Sequence, residues 1–498
     1  MLIRPTAQDL EVIAHHLGRV FLVVAAAGVL PLAWAAVGRE WHSFGSFFVM
    51  VGAYTLIGVA AIRLAPKARP LDWTHGMVVV AATWLIVPIL GAIPFLLSGH
   101  FSTSLGAVFD SVSGLTTTGL SVISDLDHLA PSLNFWRHLL QFLGGLGIIV
   151  AALTVFAGAG GITLYFGEGR GERFLPSVTT TARFIWAVAA LHLVVVVIGL
   201  VLVGWLALGF TFDRAAFHAL TMFLAGFSTG GFAPQSTSIG YYHSAIFEAV
   251  AAIGMVAGAM SFGLHHSLWR GRRRDAWANL ETRTILTSLG ITTVVTFLGL
   301  VAIGAFADVA GLTRQGFFQV FSAHTTTGWA TISSTELSTW GGLAFVGLAI
   351  AMALGGMGSA TAGGVKALRV GLTVKSVLLQ IKQVLIPEGA VVGAGYYQAG
   401  RKRLTQDVTR SVMTISLLYV ALYLLGAAVG LAYGIPLQQA LFESVSASAT
   451  IGLSVGVTDT SMPVLLQLVY MLQMWAGRLE FMAVFAFLGF LYAFLGGR

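Results

Sequence analysis

Between residues 12 and 37 the chain carries one formal charge, Arg19, in 26 residues. Runs of comparable length recur near 44–66, 75–98, 184–209, 284–306 and 411–433. About 20 apolar residues in helical form cross the ~30 Å hydrocarbon layer of a bilayer. Lipid offers no partner for a bare amide or carbonyl, so only helices and closed barrels span it. Barrel strands would read as short alternating segments, which these are not. The chain therefore reads as an all-α polytopic membrane protein. With 57% hydrophobic and 9% charged residues, its 498 residues hold too little polar surface to clothe a soluble fold. The first run is too long for the core of a cleaved leader and is expected to stay as a helix.

A net charge of +7 raises the question of a nucleic-acid partner, and the distribution of charge answers it. Cations gather at 63–69, 170–183, 270–274 with Arg283, 366–382 and 401–410. These segments alternate with loops that hold Glu40, Asp125, Asp127, Asp213, Asp308, Glu336 and Asp459 against Arg39, Arg137, Arg214 and Arg314. Alternation of this kind is the positive-inside signature. It puts the basic set, and with an even number of spans both termini, on the cytoplasmic side of the inner (cytoplasmic) membrane. No nucleic acid is implied. The absence of cysteine excludes disulfides and thiolate chemistry.

After two opening helices the chain repeats one design: a long apolar helix, a segment too short to span, a Thr/Gly-rich loop and a second long helix. The short segments read FDSVSGLTTTGLS (109–121), LTMFLAGFSTGGFA (220–233), FQVFSAHTTTGWA (318–330) and FESVSASATIGLS (442–454). Aligned on Gly119, Gly230, Gly328 and Gly452, the glycines lie 111, 98 and 124 residues apart, the mark of an internal fourfold repeat. In the second unit Gly226, Gly230 and Gly231 compete; Gly230 keeps a threonine immediately before it. Second helices are expected to begin near Phe135, Tyr242, Trp340 and Met462. The expected units are a helix pair at 1–70 and repeats at 71–166, 167–268, 269–385 and 386–498.

Irregular backbone at membrane depth survives only buried in protein or lining a wet cavity. Four such loops around one axis can present peptide carbonyls in place of the water around a cation, glycine supplying the backbone angles and threonine further oxygens. A half-helix ending at each loop would point its negative dipole end at the axis. The expected ion-binding set is Thr117, Thr118, Gly119, Thr229, Gly230, Thr326, Thr327, Gly328, Thr450, Ile451 and Gly452. The plainer reading, small residues packing helices together, accounts for one such loop but not for four in register.

These loops, with FLGGLGIIV (142–150), GGMGSATAGGVKALRV (355–370) and AGRLE (476–480), resemble the Trk/Ktr/HKT superfamily of potassium transporters, and the extra helix pair resembles its TrkH branch. The resemblance implies a potassium uptake pore around a fourfold filter. In plant relatives a serine at the first filter position goes with sodium transport; Gly119 here favours potassium. Ile451, where the other loops suggest threonine, departs from the fourfold pattern of side-chain oxygens. The resemblance also implies a homodimer docked on a cytosolic ring of nucleotide-binding regulatory subunits, with potassium as the transported ion and no organic cofactor.

In the third unit the second helix meets five glycines after about 15 residues, roughly 22 Å along, still inside the bilayer. Gly355, Gly356, Gly358, Ser359, Thr361, Gly363 and Gly364 are therefore expected to form an intramembrane gate loop. Arg478 lies at similar depth in the fourth unit, where an arginine must face a cavity or a partner. Two roles suit it: a barrier below the filter that also holds the gate, or an ion pair with Glu480 or Glu248. Lys366 either assists Arg478 or, the commoner fate, snorkels to the cytoplasmic surface. Asp110 and Glu443, recurring in two pore segments, either concentrate cations at the mouth or complement a half-helix dipole. The histidines, His265, His266 and His324 among them, lack partners at metal-ligand spacing.

Cytoplasmic basic segments at 270–277 and 366–410 suit anionic lipid and, more sharply, the regulatory ring. No phosphate-binding Walker pattern is present, and no nucleophile has partners at usable spacing, so an enzyme is not expected. The reading is passive, gated potassium conduction. The alternative is proton- or sodium-coupled symport, which normally needs a titratable group at mid-depth, whereas arginine hardly titrates.

Overall fold

A computed structural model describes residues 5–65, 71–147, 177–385, 387, 393–398 and 400–496. The unit boundaries expected at 70/71, 166/167 and 385/386 touch or lie outside those residues, as do 148–150 of the FLGGLGIIV motif and most of the basic segments at 63–69 and 170–183. The boundary at 268/269 falls in the last turn of the helix Phe262–Trp269.

The opening pair, Ala7–Val37 and Trp41–Leu64, packs as a hairpin. The first long helices of the four units are Trp73–Gly91, Val178–Leu202, Leu280–Ala302 and Gln406–Ala432, each opened by a side-chain cap: Asp72, Ser177, Asn279 and Thr405 each accept from an amide two or three residues on. Outward residues such as Leu298, Val301 and Leu424 are at least 60% exposed, as lipid-facing side chains are. Trp73–Gly91 differs, buried along most of its length. The first helix covers it on one side and Met482–Leu495 on another.

Four half-length helices follow the first helices: Ser104–Leu115, Phe212–Phe227, Phe317–His324 and Leu437–Ser448. The second helices are Pro131–Leu146, Ala245–Ala259, Gly342–Ala353 and Val464–Arg478. The expected break after Gly342–Ala353 is present, and two others were not anticipated. Ala245–Ala259 turns by 104° into Phe262–Trp269, and Val464–Arg478 turns by 114° into Met482–Leu495. The first of these is marked by Ser261, whose hydroxyl caps the new helix at Leu264. The second uses Glu480 and Phe481 at φ 53° and 72°, left-handed conformations that their residue types do not advertise.

A glycine near the end of three second helices explains how the units close. A methyl group on Gly144 would fall on the Leu115 carbonyl, on Gly258 on the Phe227 carbonyl, and on Gly477 on the Ser448 carbonyl. Each of those carbonyls ends a half-helix, so the second helix lies backbone to backbone against the tip it supports. Among the described residues the all-helical reading holds apart from one two-stranded hairpin, Gly395–Tyr397 with Arg401–Arg403.

Candidate functional site

Each half-helix ends in the same backbone turn. Thr118, Gly230, Thr327 and Ile451 donate their amides to the carbonyls of Ser113, Ala225, Ser322 and Ser446 at 2.8–3.0 Å. Thr117, Thr229, Thr326 and Thr450 donate to Gly114, Gly226, Ala323 and Ala447 at 3.0–3.3 Å. This is the double-bonded helix terminator whose left-handed position glycine usually fills. Here a threonine fills it four times, with φ between 52° and 59°. A β-branched residue in that conformation costs about 1–2 kcal/mol, so its hydroxyl is retained against the backbone's preference.

Two residues further on, Gly119, Gly231, Gly328 and Gly452 take φ between 79° and 93°. The second-unit equivalent is thus Gly231, not Gly230; the glycine pair hid the register, because a single threonine precedes both. A methyl on Gly119 would strike the Gly230 carbonyl oxygen, on Gly231 that of Thr327, on Gly328 that of Ile451, and on Gly452 that of Thr118. The order is cyclic. Each loop leans on the next until the fourth returns to the first, closing a ring of peptide backbone. A cavity of about 610 Å³ opens on the glycine side of the ring, lined by all four glycines and by Ser121, Ala233, Ala330 and Ser454 beyond them.

Asp110 and Glu443 brace this ring from inside the protein. Both are fully buried, and Asp110 lies in mid-helix rather than in the first turn, so neither a surface mouth nor a helix start describes them. Asp110 accepts from Ser121 and from Arg137 Nε at 2.8 Å, and Arg137 stacks over Phe232 at 4.0 Å. Glu443 accepts from Ser454 Oγ (2.5 Å), Val455 N (2.9 Å), Val457 N (3.3 Å) and Thr458 Oγ1 (2.8 Å). Ser121 and Ser454 each lie two residues past a ring glycine, so the acids hold the strands leaving the ring. The signal was in the sequence, an acid with a serine 11 residues on in units one and four alone. Glu443→Ala is expected to destabilise the protein by about 3 kcal/mol or more, since it strands several buried donors. An unchanged thermal unfolding midpoint in detergent would contradict that role.

Gln141 was not anticipated. Its amide donates to the Gly230 carbonyl and its oxygen accepts from Phe232 N at 3.2 Å. In units one and three, threonine pairs brace the same place, Thr116 with Thr118 at 2.8 Å and Thr325 with Thr327 at 3.0 Å. Gln141 supplies from a neighbouring helix what Gly230 lacks.

The other side of the ring is closed by the loop 355–366. Leu354 and Val365 form an isolated parallel bridge at its neck. Thr361 donates its amide to Gly258 O (3.1 Å), and its hydroxyl lies 3.0 Å from Phe227 O, 2.8 Å from Gly258 O and 3.3 Å from Thr229 Oγ1. Gly363 N donates to Thr326 Oγ1 at 3.0 Å, and a side chain on Gly363 would strike Thr450. The loop therefore meets the left-handed threonines of three units. The buried hydroxyls of Thr117 and Thr450 have no hydrogen-bond partner among the described residues.

Arg478 donates to Thr361 O (2.5 Å) and to Gly144 O (2.7 Å), with its guanidinium 5.4 Å from the Trp84 ring. It joins the loop to the second helix of unit one. The proposed carboxylates are engaged elsewhere: Glu248 with Arg314 at 2.6 Å, Glu480 with Arg369 and, at 3.9 Å, Lys366. Lys366 does not snorkel. It is 7% exposed and donates to Ala362 O, folding back to clasp the loop. Near the start of Leu280–Ala302, Glu281 accepts from Gly358 N at 2.6 Å. Of the histidines, His265 bonds Ala257 O at 2.9 Å and His324 bonds Ser288 Oγ at 2.7 Å.

A helical membrane protein whose re-entrant loops close a ring of peptide oxygens is of the cation-transporting class. The chain belongs to the TrkH family of cation transport proteins, whose pattern matches residues 45–489. It is 30% identical over 494 residues to an uncharacterized cation transporter of Methanocaldococcus jannaschii, covering 98% of this chain and 97% of that one. It is 28% identical over 497 residues to the Trk system potassium uptake protein TrkH of Halomonas elongata, covering 96% and 98%. The crystal structure of the potassium transporter TrkH from Vibrio parahaemolyticus has the same fold, with a TM-score of 0.81 at 24% identity over 96% of this chain and 98% of that one.

Proposed function

We propose that this protein conducts potassium across the cytoplasmic membrane through the ring, with Thr117 to Gly119, Thr229 to Gly231, Thr326 to Gly328 and Thr450 to Gly452 as the selectivity filter. The observation that carries the reading is the cyclic contact of four glycines with four carbonyls. Peptide oxygens at one level around an axis replace the hydration shell of a large alkali ion at little cost. The orphaned hydroxyls of Thr117 and Thr450 fit the same substrate, because a dehydrated cation satisfies them. Potassium rather than another cation is favoured by the names of the TrkH relatives. The loop 355–366 acts as the gate and Arg478 as the barrier below the filter.

Symport would need a titratable group free to exchange protons at mid-depth. Glu443 is held by four donors and Glu480 by two cations, which favours passive conduction. Both termini lie on the cytoplasmic side in this reading, where the basic segments and the hairpin Gly395–Tyr397/Arg401–Arg403 meet a nucleotide-binding ring beneath a homodimer. Cells lacking their own potassium uptake test the function: expression of this chain restores growth on low potassium. Failure to do so, with the protein in the membrane, contradicts it.

A further inference from the structure

At the cytoplasmic end of Leu280–Ala302 the hairpin closes a second cavity, of about 450 Å³. Arg283, Lys375, Arg401 and Lys402 line it with Tyr396 and Tyr397, and among the described residues none of the lining is acidic. The hairpin register, Tyr396 opposite Lys402 and Tyr397 opposite Arg401, brings the two tyrosines and two of the cations together. Lys375 Nζ donates to Gly395 O at 3.0 Å and Arg283 Nε to Trp277 O at 2.9 Å, fixing both walls. The nearby Asp275 is occupied by the Tyr397 hydroxyl at 2.7 Å. Among the described residues Arg283, Lys375 and Arg401 make no ion pair. The like charges of Arg283, Lys375 and Arg401 around one small cavity repel one another unless an anion joins them.

We infer that this cavity binds a phosphate-bearing anion. Arginine and lysine around a hollow, with the Tyr396 hydroxyl as a further donor, match the oxygens of a phosphate group. The surroundings favour a lipid headgroup as its source. Trp277 is 67% exposed, and the helix Ala367–Leu385, which carries Lys375, exposes Val374, Val377, Leu378, Ile381, Val384 and Leu385. An apolar stripe with a tryptophan and a basic pocket beside it is the arrangement of an inner-leaflet interface.

The cavity also reaches the gate loop from two sides. Ala367–Leu385 starts immediately after the last residue of that loop. Glu281, two residues from Arg283, holds Gly358 N of the same loop. An anion drawing Arg283 and Lys375 together acts on both attachments of the loop. This part rests on the loop being the gate; the binding does not.

The test uses the purified full chain in vesicles. Hydrogen exchange of residues 393–404 is compared in phosphatidylcholine, in phosphatidylcholine with phosphatidylglycerol, and in phosphatidylcholine with inorganic pyrophosphate outside. Exchange is expected to slow by about tenfold with phosphatidylglycerol, and Lys375→Gln combined with Arg401→Gln abolishes the slowing while Gln406–Ala432 exchanges as before. Slowing by pyrophosphate alone keeps the phosphate site and makes its ligand soluble. No slowing by either, or slowing that survives in the double variant, overturns the site. Rubidium uptake in the same vesicles reads the coupling. A flux equal with and without phosphatidylglycerol, while exchange is slowed, overturns the link to the gate; absence of any uptake would instead count against the transport reading.

Discussion

Gly119→Ser converts the protein from one that prefers potassium to one that admits sodium, raising the sodium-to-rubidium uptake ratio by about tenfold or more. Gly119 takes φ 90°, and a β-carbon there would strike the Gly230 carbonyl. A side chain in this conformation costs about 1–2 kcal/mol in backbone energy, and overpacking adds about 1–3 kcal/mol. The strain is released by moving the Gly230 carbonyl, the least replaceable atom of the ring, because Gln141 already holds it in place. An energy of ~1.4 kcal/mol lost selectively for the larger ion suffices for the tenfold change. The check is paired tracer uptake from monodisperse protein in liposomes. An unchanged ratio at normal flux would remove Gly119 from the filter.

Arg478→Ala raises flux by one to two orders of magnitude. A unit charge ~7 Å from a permeating cation, at an effective dielectric constant of about 20, opposes it by roughly 2.4 kcal/mol, or about fiftyfold in rate. The same substitution removes the bonds to Thr361 O and Gly144 O that hold the loop against unit one. Arg478→Lys separates the contributions, keeping the charge while losing the bridge, and is expected to show a smaller rise. Deleting residues 355–364 gives a pore that no longer closes. A folded Arg478→Ala protein with wild-type flux would make the arginine a purely structural tie.

Much of the site was legible because the chain says the same thing four times. FDSVSG and FESVSA fix units one and four to a common register, and TTTG fixes the third. The five glycines of 355–364 mark the break that follows Gly342–Ala353, and the depth of Arg478 follows from counting helix residues. The second unit failed where information was thinnest, at a glycine pair after a single threonine; only dihedral angles distinguish Gly231 from Gly230. The breaks at Met260 and Glu480 were invisible for a similar reason: Met260 turns in an extended conformation that any residue adopts, and at Glu480 and Phe481 tertiary packing imposes left-handed angles on residues that do not prefer them. Roles that depend on who sits opposite were out of reach. Gln141 behind Gly230, and Glu480 between Arg369 and Lys366, join segments 89 and 111 residues apart, which local spacing does not pair.

The bracing acids sharpen the picture of the ring. Units one and four tie their outgoing strands with Asp110 to Ser121 and Glu443 to Ser454, while units two and three place alanine at the serine positions. Units three and two are instead joined through Trp329 Nε1, which donates to Phe232 O at 2.9 Å. The rigidity that a filter needs is thus reached by two different routes on opposite halves of one ring.

The decisive measurement is the reversal potential of the purified protein in a planar bilayer under a potassium gradient, repeated at several proton gradients. The ring account predicts that the current reverses at the potassium equilibrium potential each time. A reversal that moves with the proton gradient, or no current above that of the bare bilayer, would contradict it.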